Sequence, residues 1–134
     1  MIYVEETLNL AHASYEALDG YIEFAREKLV PVLPGLGARL IGAFSSDVDW
    51  FCQVKQIMEF DDMKALKEFR INCSRSGAWG DYAAGLEEHA PVRHSRLLEP
   101  LGNAVPSEVL HKAIADSREE PNHGYLFAIL EAAN

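Results

Sequence analysis

Hydrophobic and polar positions alternate from the start of the chain. Ile2, Val4, Glu6 and Leu8 fall in one phase and Tyr3, Glu5 and Thr7 in the other, the period of two that predicts a strand. From Ala11 to Val30 the period lengthens. Tyr15, Leu18, Ile22, Ala25 and Leu29 recur at steps of three and four, which predicts one apolar face of a helix. Pro31 and Pro34 end it, and Gly35 and Gly37 are expected to make a turn. Residues 38–46 then read as a second strand, 46–49 as turn chemistry, and 50–60 as a third strand pairing with the second in a hairpin. Asp61 or Asp62 is placed to cap a helix starting near Met63, with Leu66 and Phe69 inward. Gly77 interrupts that pattern and Trp79, Tyr82, Ala83 and Leu86 resume it, so two helical pieces are expected. Residues 91–101 supply a fourth strand.

Strand, helix, strand, strand, helix, strand is the ferredoxin-like order of an α+β fold, here over residues 1–101. Its helices cover one face of the sheet, and the other face is expected to pack on a partner's sheet in a homodimer. Residues 102–134 form a C-terminal extension. Pro106 and Ser107 open a short helix there, with Ser107 as its cap and Leu110, Ala113 and Ile114 on its apolar side. Residues 116–124 read as a polar loop, and Leu126, Ile129, Leu130 and Ala133 suit a helix in a stretch whose short apolar run also fits a strand. This many apolar residues are expected to pack on the domain or on the partner subunit.

Composition narrows the function. The chain has 134 residues, 49% hydrophobic and 25% charged, with a formal net charge of −9. That balance argues against nucleic acid and against an anionic membrane surface. No apolar run approaches a membrane span and the N-terminus lacks a signal-peptide pattern, so a cytoplasmic location is expected. Cys52 and Cys73 fit no zinc or redox spacing and read as reduced thiols. Arg70 and Arg75 near Cys73 would favour its thiolate, although an incidental helix cysteine is the competing reading. Histidines 12, 89, 94, 111 and 123 show no metal-binding spacing, and no dinucleotide or P-loop fingerprint is present, so no cofactor is expected.

Three further segments carry a resemblance. The stretches "GLGARLIGAFSS" (35–46), "WGDYAAGL" (79–86) and "RLLEPL" (96–101) resemble the NIPSNAP-type branch of the dimeric α+β barrel superfamily. The resemblance implies a homodimer whose two sheets form a barrel, and a small-molecule cavity between each sheet and its helices. Members of the superfamily include cofactor-independent monooxygenases, polyketide cyclases, lyases and dehydratases. A working histidine near the last strand is common among them, and His89 and His94 are the candidates here.

On the predicted fourth strand, Val92, His94, Arg96 and Leu98 share one face and Arg93, Ser95 and Leu97 the other. If Leu97 is the core residue, His94 and Arg96 face the barrel interface; if Leu98 is, they line the cavity. Glu5 and Glu6 point to opposite faces of strand one, which neighbours strand four in the order four-one-three-two. One of them is therefore in reach of His94, where a carboxylate would raise the basicity of an imidazole. The competing reading is an ion pair of Glu5 or Glu6 with Arg93 or Arg96. His89 precedes Pro91, where a solvated loop histidine is expected, and His12 is expected to be exposed. Tyr3, Tyr15, Tyr21, Phe44, Trp50, Trp79 and Tyr82 are candidates to line an aromatic pocket, with ordinary core packing the alternative for Tyr15 and Trp79.

The leading expectation is a cofactor-independent enzyme of lyase, isomerase or cyclase type acting on an apolar or aromatic metabolite. His94, Glu5 and Glu6 would carry proton transfer, with Tyr3, Tyr15, Phe44, Trp79, Tyr82, His89 and Arg96 around the ligand. The alternatives are a non-catalytic ligand-binding or assembly homodimer and a cofactor-free monooxygenase.

Overall fold

The computed structural model describes residues 1–46, 51–101 and 107–119. Residues 1–101 and 102–134 form two compact units. In the first, β1 (Ile2–Asn9) is followed by α1 (Tyr15–Lys28), a single turn α2 (Leu33–Leu36), β2 (Arg39–Ser45) and β3 (Gln53–Phe60). The helices α3 (Met63–Arg75) and α4 (Gly77–His89) and the strand β4 (Val92–Leu98) complete it. The four strands form one antiparallel sheet in the order β2-β3-β1-β4. This is a ferredoxin-like α+β architecture, with both central strands flanked by strands of opposite direction.

The helix boundaries follow from their caps. The Ser14 hydroxyl accepts from the Ala17 amide, so α1 starts at Tyr15 and not at Ala11. The Asp62 carboxylate caps α3 by accepting from Ala65 N. Ser76 closes α3 with its backbone N–H and opens α4 with its hydroxyl, which accepts from Trp79 N. The two helical pieces expected on either side of Gly77 are present, with the break at Ser76 and Gly77 as the first residue of α4. The turn expected around Pro34 and Gly35 is a one-turn helix, because proline is tolerated in a first turn, and Gly37 ends it at φ 93°.

Of the stripe expected on α1, Leu29 is in the core and Leu18 and Ala25 pack against it, but the two positions with the largest exposure depart from it. Tyr15 is 66% exposed and Ile22 43%, whereas Tyr21, outside the expected stripe, is buried. Helix start and inward face are set together by the Ser14 cap and by where the sheet lies, and Tyr21, not Tyr15, meets it. β3 begins three residues later than expected, because Phe51 and Cys52 lie in a turn and Cys52 adopts φ 60°. β4 likewise stops at Leu98. The pairing of β2 with β3 slips between Leu40 and Gly42, a β-bulge.

One face of the sheet carries the core. Ile2, Leu8, Val54, Met58 and Phe60 pack against Leu66, Phe69, Tyr82 and Leu86 from the helices above. Fully burying side chains of this size contributes about 1.5–3 kcal/mol each relative to exposure. Gly85 brings α4 close to α1, since a Cβ there would lie 2.4 Å from the Phe24 ring.

In the second unit, α5 (Ser107–Glu119) is the described element, carrying a Lys112–Asp116 ion pair at 2.8 Å. Ile114 is half-buried and Ala113 exposed. The other expectations for residues 120–134, including the helix near Leu126, lie outside the described residues, as does Trp50. Among the described residues no helix is long and apolar enough to cross a membrane.

Candidate functional site

On the helix-covered face of the sheet, the two central strands are apolar except at their centre. Glu6 of β1 and Gln56 of β3 are register partners there. The Gln56 amide donates to Glu6 Oε2 at 3.2 Å and to the Tyr82 hydroxyl at 3.2 Å, and Gln56 Oε1 accepts from the Tyr21 hydroxyl at 2.5 Å. A fully buried amide with every group engaged holds a carboxylate and two phenols in fixed positions. Each aromatic is itself packed: Tyr82 stacks on Phe24 at 5.5 Å and meets Trp79 at 5.1 Å.

Burial dominates the acid–base properties of this network. It raises the Glu6 carboxyl above its ordinary range, with the Gln56 hydrogen bond and the Arg93 charge pulling back more weakly. Burial, followed by the Glu6 charge, pushes Tyr82 up to about 12. It raises Tyr21 further, so both phenols stay protonated.

Beside Glu6 lies a cavity of about 370 Å³ lined by Trp79, Tyr82, Leu86 and Arg93. Arg93 is held from behind: it donates to Glu87 Oε1 and to the Ala90 carbonyl, and its charge reaches Glu6 and Tyr82. A carboxyl poised towards its protonated form, a phenol donor and a fixed guanidinium thus converge on one cavity. This arrangement suits proton transfer on an anionic or carbonyl-bearing molecule. A second cleft, of about 410 Å³, lies between α1 and β2 on the other side of the Tyr21–Gln56 pair.

The remaining expected site residues are distributed differently. Glu5 lies on the far face of the sheet, where its Oε1 accepts from Arg96 at 2.7 Å and from Lys55 at 3.4 Å. His94 pairs with Thr7 and shares that face with Arg96, so His94 and Glu6 point to opposite sides. His94 is exposed, and it is nevertheless among the residues lining the mouth of the cavity with Glu6, Trp79 and Tyr82. The alternation resolves as it must when Leu97, across from Val4, faces the helices. Tyr3 is opposite Leu98 and Glu59 on the far face, and Phe44 is opposite Lys55, its ring lying over Gly42. Neither joins Trp79 and Tyr82. Tyr15 stands at the exposed start of α1, edge-on to Phe51 at 5.2 Å.

His89 is not a solvated loop residue. It ends α4, half-buried, stacked on Phe24 at 4.6 Å and edge-on to Tyr21 at 6.2 Å. It helps fix the two aromatics above the network. His12, exposed, shares a shallow cleft with it. Cys73 gains nothing from the nearby arginines, because burial pushes its thiol up to about 11. Both cysteines are free thiols, and among the described residues no three His, Cys, Asp or Glu side chains group to hold a metal ion.

Sequence reasoning singled out neither Gln56 nor Arg93 for the site. The signal for Gln56 was available. It falls in phase with Val54, Met58 and Phe60, and a polar residue in a buried phase must be satisfied by something equally buried.

No protein-family model matches the chain, and no curated protein matches it in sequence. Solved structures do match in fold. An uncharacterized NIPSNAP domain protein from Burkholderia xenovorans superposes with a TM-score of 0.69 at 15% identity, covering 79% of this chain and 99% of that one. A NIPSNAP family protein from Agrobacterium tumefaciens gives 0.65 at 19% identity, over 75% and 93% of the two chains. An antibiotic biosynthesis monooxygenase gives 0.55 at 19% identity, over 79% and 100%. At these identities the likeness is one of architecture: the chain has the ferredoxin-like α+β fold that NIPSNAP domain proteins and the antibiotic biosynthesis monooxygenase share.

Proposed function

We propose that the chain is a small acid–base enzyme of lyase or isomerase type, acting on a carbonyl-bearing apolar or aromatic metabolite in the cavity beside Glu6. The observation that carries this reading is the Glu6 carboxyl, raised by burial and fixed by Gln56 next to Tyr82 and Arg93. Glu6 would take a proton from carbon α to the carbonyl. The Tyr82 phenol would donate a hydrogen bond to the enolate oxygen, and Arg93 would attract an anionic substituent. Trp79 would pack on the apolar part. Each role uses the ordinary chemistry of the group: a base with a raised pKa is a better proton acceptor, and a neutral phenol is a donor.

His94, Glu5 and Arg96 then belong to a second role. We assign them to a homodimer contact through the far face of the sheet, where charged groups fix register more than they add affinity. The likeness to an antibiotic biosynthesis monooxygenase supports one variant, in which the carbanion formed by Glu6 reacts with dioxygen instead of being reprotonated.

Phenylpyruvate in D2O is a suitable probe, being aromatic, anionic and enolisable. Exchange of its methylene protons, followed by NMR, is expected to be accelerated by the protein. Glu6→Gln is expected to slow it by on the order of 10²–10⁴. Oxygen uptake during the same reaction would identify the monooxygenase variant. Exchange unaffected by Glu6→Gln, or a Glu6 carboxyl titrating below the ordinary 4.5, would overturn the assignment.

A further inference from the structure

The cleft between α1 and β2 is chemically unlike the cavity beside Glu6. Leu18, Ile22, Ala25 and Leu29 of α1 form one wall, and Leu40 and Ala43 of β2 the other. Its floor is the Tyr21–Gln56 hydrogen bond, both of whose partners are satisfied and neutral. An apolar chain lying on that floor therefore strands no donor or acceptor. Ile22 and Val30, at 43% and 49% exposure, are among the large apolar side chains left open to water, and both border this cleft. A volume of about 410 Å³ lies within the range of small-molecule sites.

Among the described residues one charged side chain lines the cleft, Arg26, on the outer part of α1. Elsewhere in the first unit Arg39, Arg93 and Arg96 are each in an ion pair. Among the described residues Arg26, like Arg70 and Arg75 on α3, makes none, although Glu23 and Glu27 are its neighbours on the helix. A guanidinium without a carboxylate, at the edge of an apolar trough, complements an amphiphile with an anionic head.

We propose that this cleft binds a free single-chain carboxylate, its alkyl tail between α1 and β2 and its head at Arg26. The site is separate from the cavity beside Glu6 and does not depend on the chemistry assigned there.

The test uses the full chain and calorimetric titration with decanoate, decanol and decyltrimethylammonium. Decanoate is expected to bind more tightly than decyltrimethylammonium by about tenfold. Across hexanoate, octanoate and decanoate, each added methylene is expected to tighten binding by about threefold to fourfold. Arg26→Glu should reverse the preference between the anionic and cationic amphiphiles without changing the unfolding midpoint, because Arg26 is exposed. Ala43→Phe, which fills the cleft from the edge strand, should abolish binding of all three. A chain-length series with no slope, or a preference that Arg26→Glu leaves unchanged, would overturn the proposal. So would decanoate binding that survives Ala43→Phe, since the ligand would then sit elsewhere. Phenylpyruvate exchange by Ala43→Phe should be normal, which separates failure here from failure of the Glu6 reading.

Discussion

Glu5 and Glu6 are adjacent in the chain and point to opposite faces of the same sheet, and their carboxyl groups shift in opposite directions. On the helix side, burial raises Glu6, and its polar partner is a neutral amide. On the far side, burial also pushes Glu5 upward, but Arg96 and Lys55 outweigh it and hold the carboxyl below its ordinary value. The difference lies in what surrounds each carboxylate. One face satisfies polar groups through amides and phenols in an apolar setting, which stores reactivity. The other satisfies them through ion pairs, which fixes charge in its ionised form.

If the helix-side face carries the core, truncation there should have the largest effect on folding. Leu8→Ala, at a fully buried position of β1, is expected to lower the free energy of unfolding by about 2–5 kcal/mol, read from urea denaturation. A loss under about 1 kcal/mol would mean that the core lies elsewhere. Gly85→Ala tests the packing above that face. Its new methyl would meet Phe24, itself held between Tyr82 and His89, and a net loss of about 1–2 kcal/mol is expected despite the better helix propensity of alanine.

The two carboxylates give a sharper contrast through pH. Glu5 has a folded pKa below its unfolded 4.5, so its stabilisation is present above 4.5 and is lost as pH falls through the folded value. Glu6 has a folded pKa above 4.5, so its charge opposes folding increasingly as pH rises through the folded value, and not below 4.5. Glu5→Gln should therefore cost about 1 kcal/mol near neutral pH and little in acid. Glu6→Gln should raise stability slightly near neutral pH and leave it unchanged in acid. Unfolding free energies of both variants across pH would decide it, and parallel curves would erase the distinction between the faces. The smallest effect is expected for His94→Gln, within about 0.5 kcal/mol, because the side chain is exposed.

Much of this architecture was legible in the sequence. The alternation in β1 and the serine and aspartate caps identify themselves through local chemistry, and the strand order follows from the element order. The site was only half legible. Glu6, Trp79 and Tyr82 were singled out, but His94 and Glu6 could be paired only while the phase of β4 was open. That phase depends on whether Leu97 or Leu98 turns to the helices, which is decided by tertiary contact. Tyr21 was present in the aromatic inventory but absent from the apolar stripe, because a count from Tyr15 finds Leu18, Ala25 and Leu29 but passes over the flanking position that the sheet also buries.

The bulge in β2 bears on which side chains line the cleft. Residue 41 is the extra step that shifts the strand's alternation, so that Leu40 and Ala43, three apart, both face α1. In an unbroken strand residues 42 and 44 would share the face of Leu40, with Gly42 taking the place of Ala43 opposite Gln56 and Phe44 that of Ser45 opposite Val54. A single extra residue thus sets Ser45, and not Phe44, opposite Val54 at the edge of the cleft. Deleting Ile41 would be expected to remove the bulge while leaving Leu40 and Ala43 on the α1 side of the strand, so the α1–β2 cleft should persist.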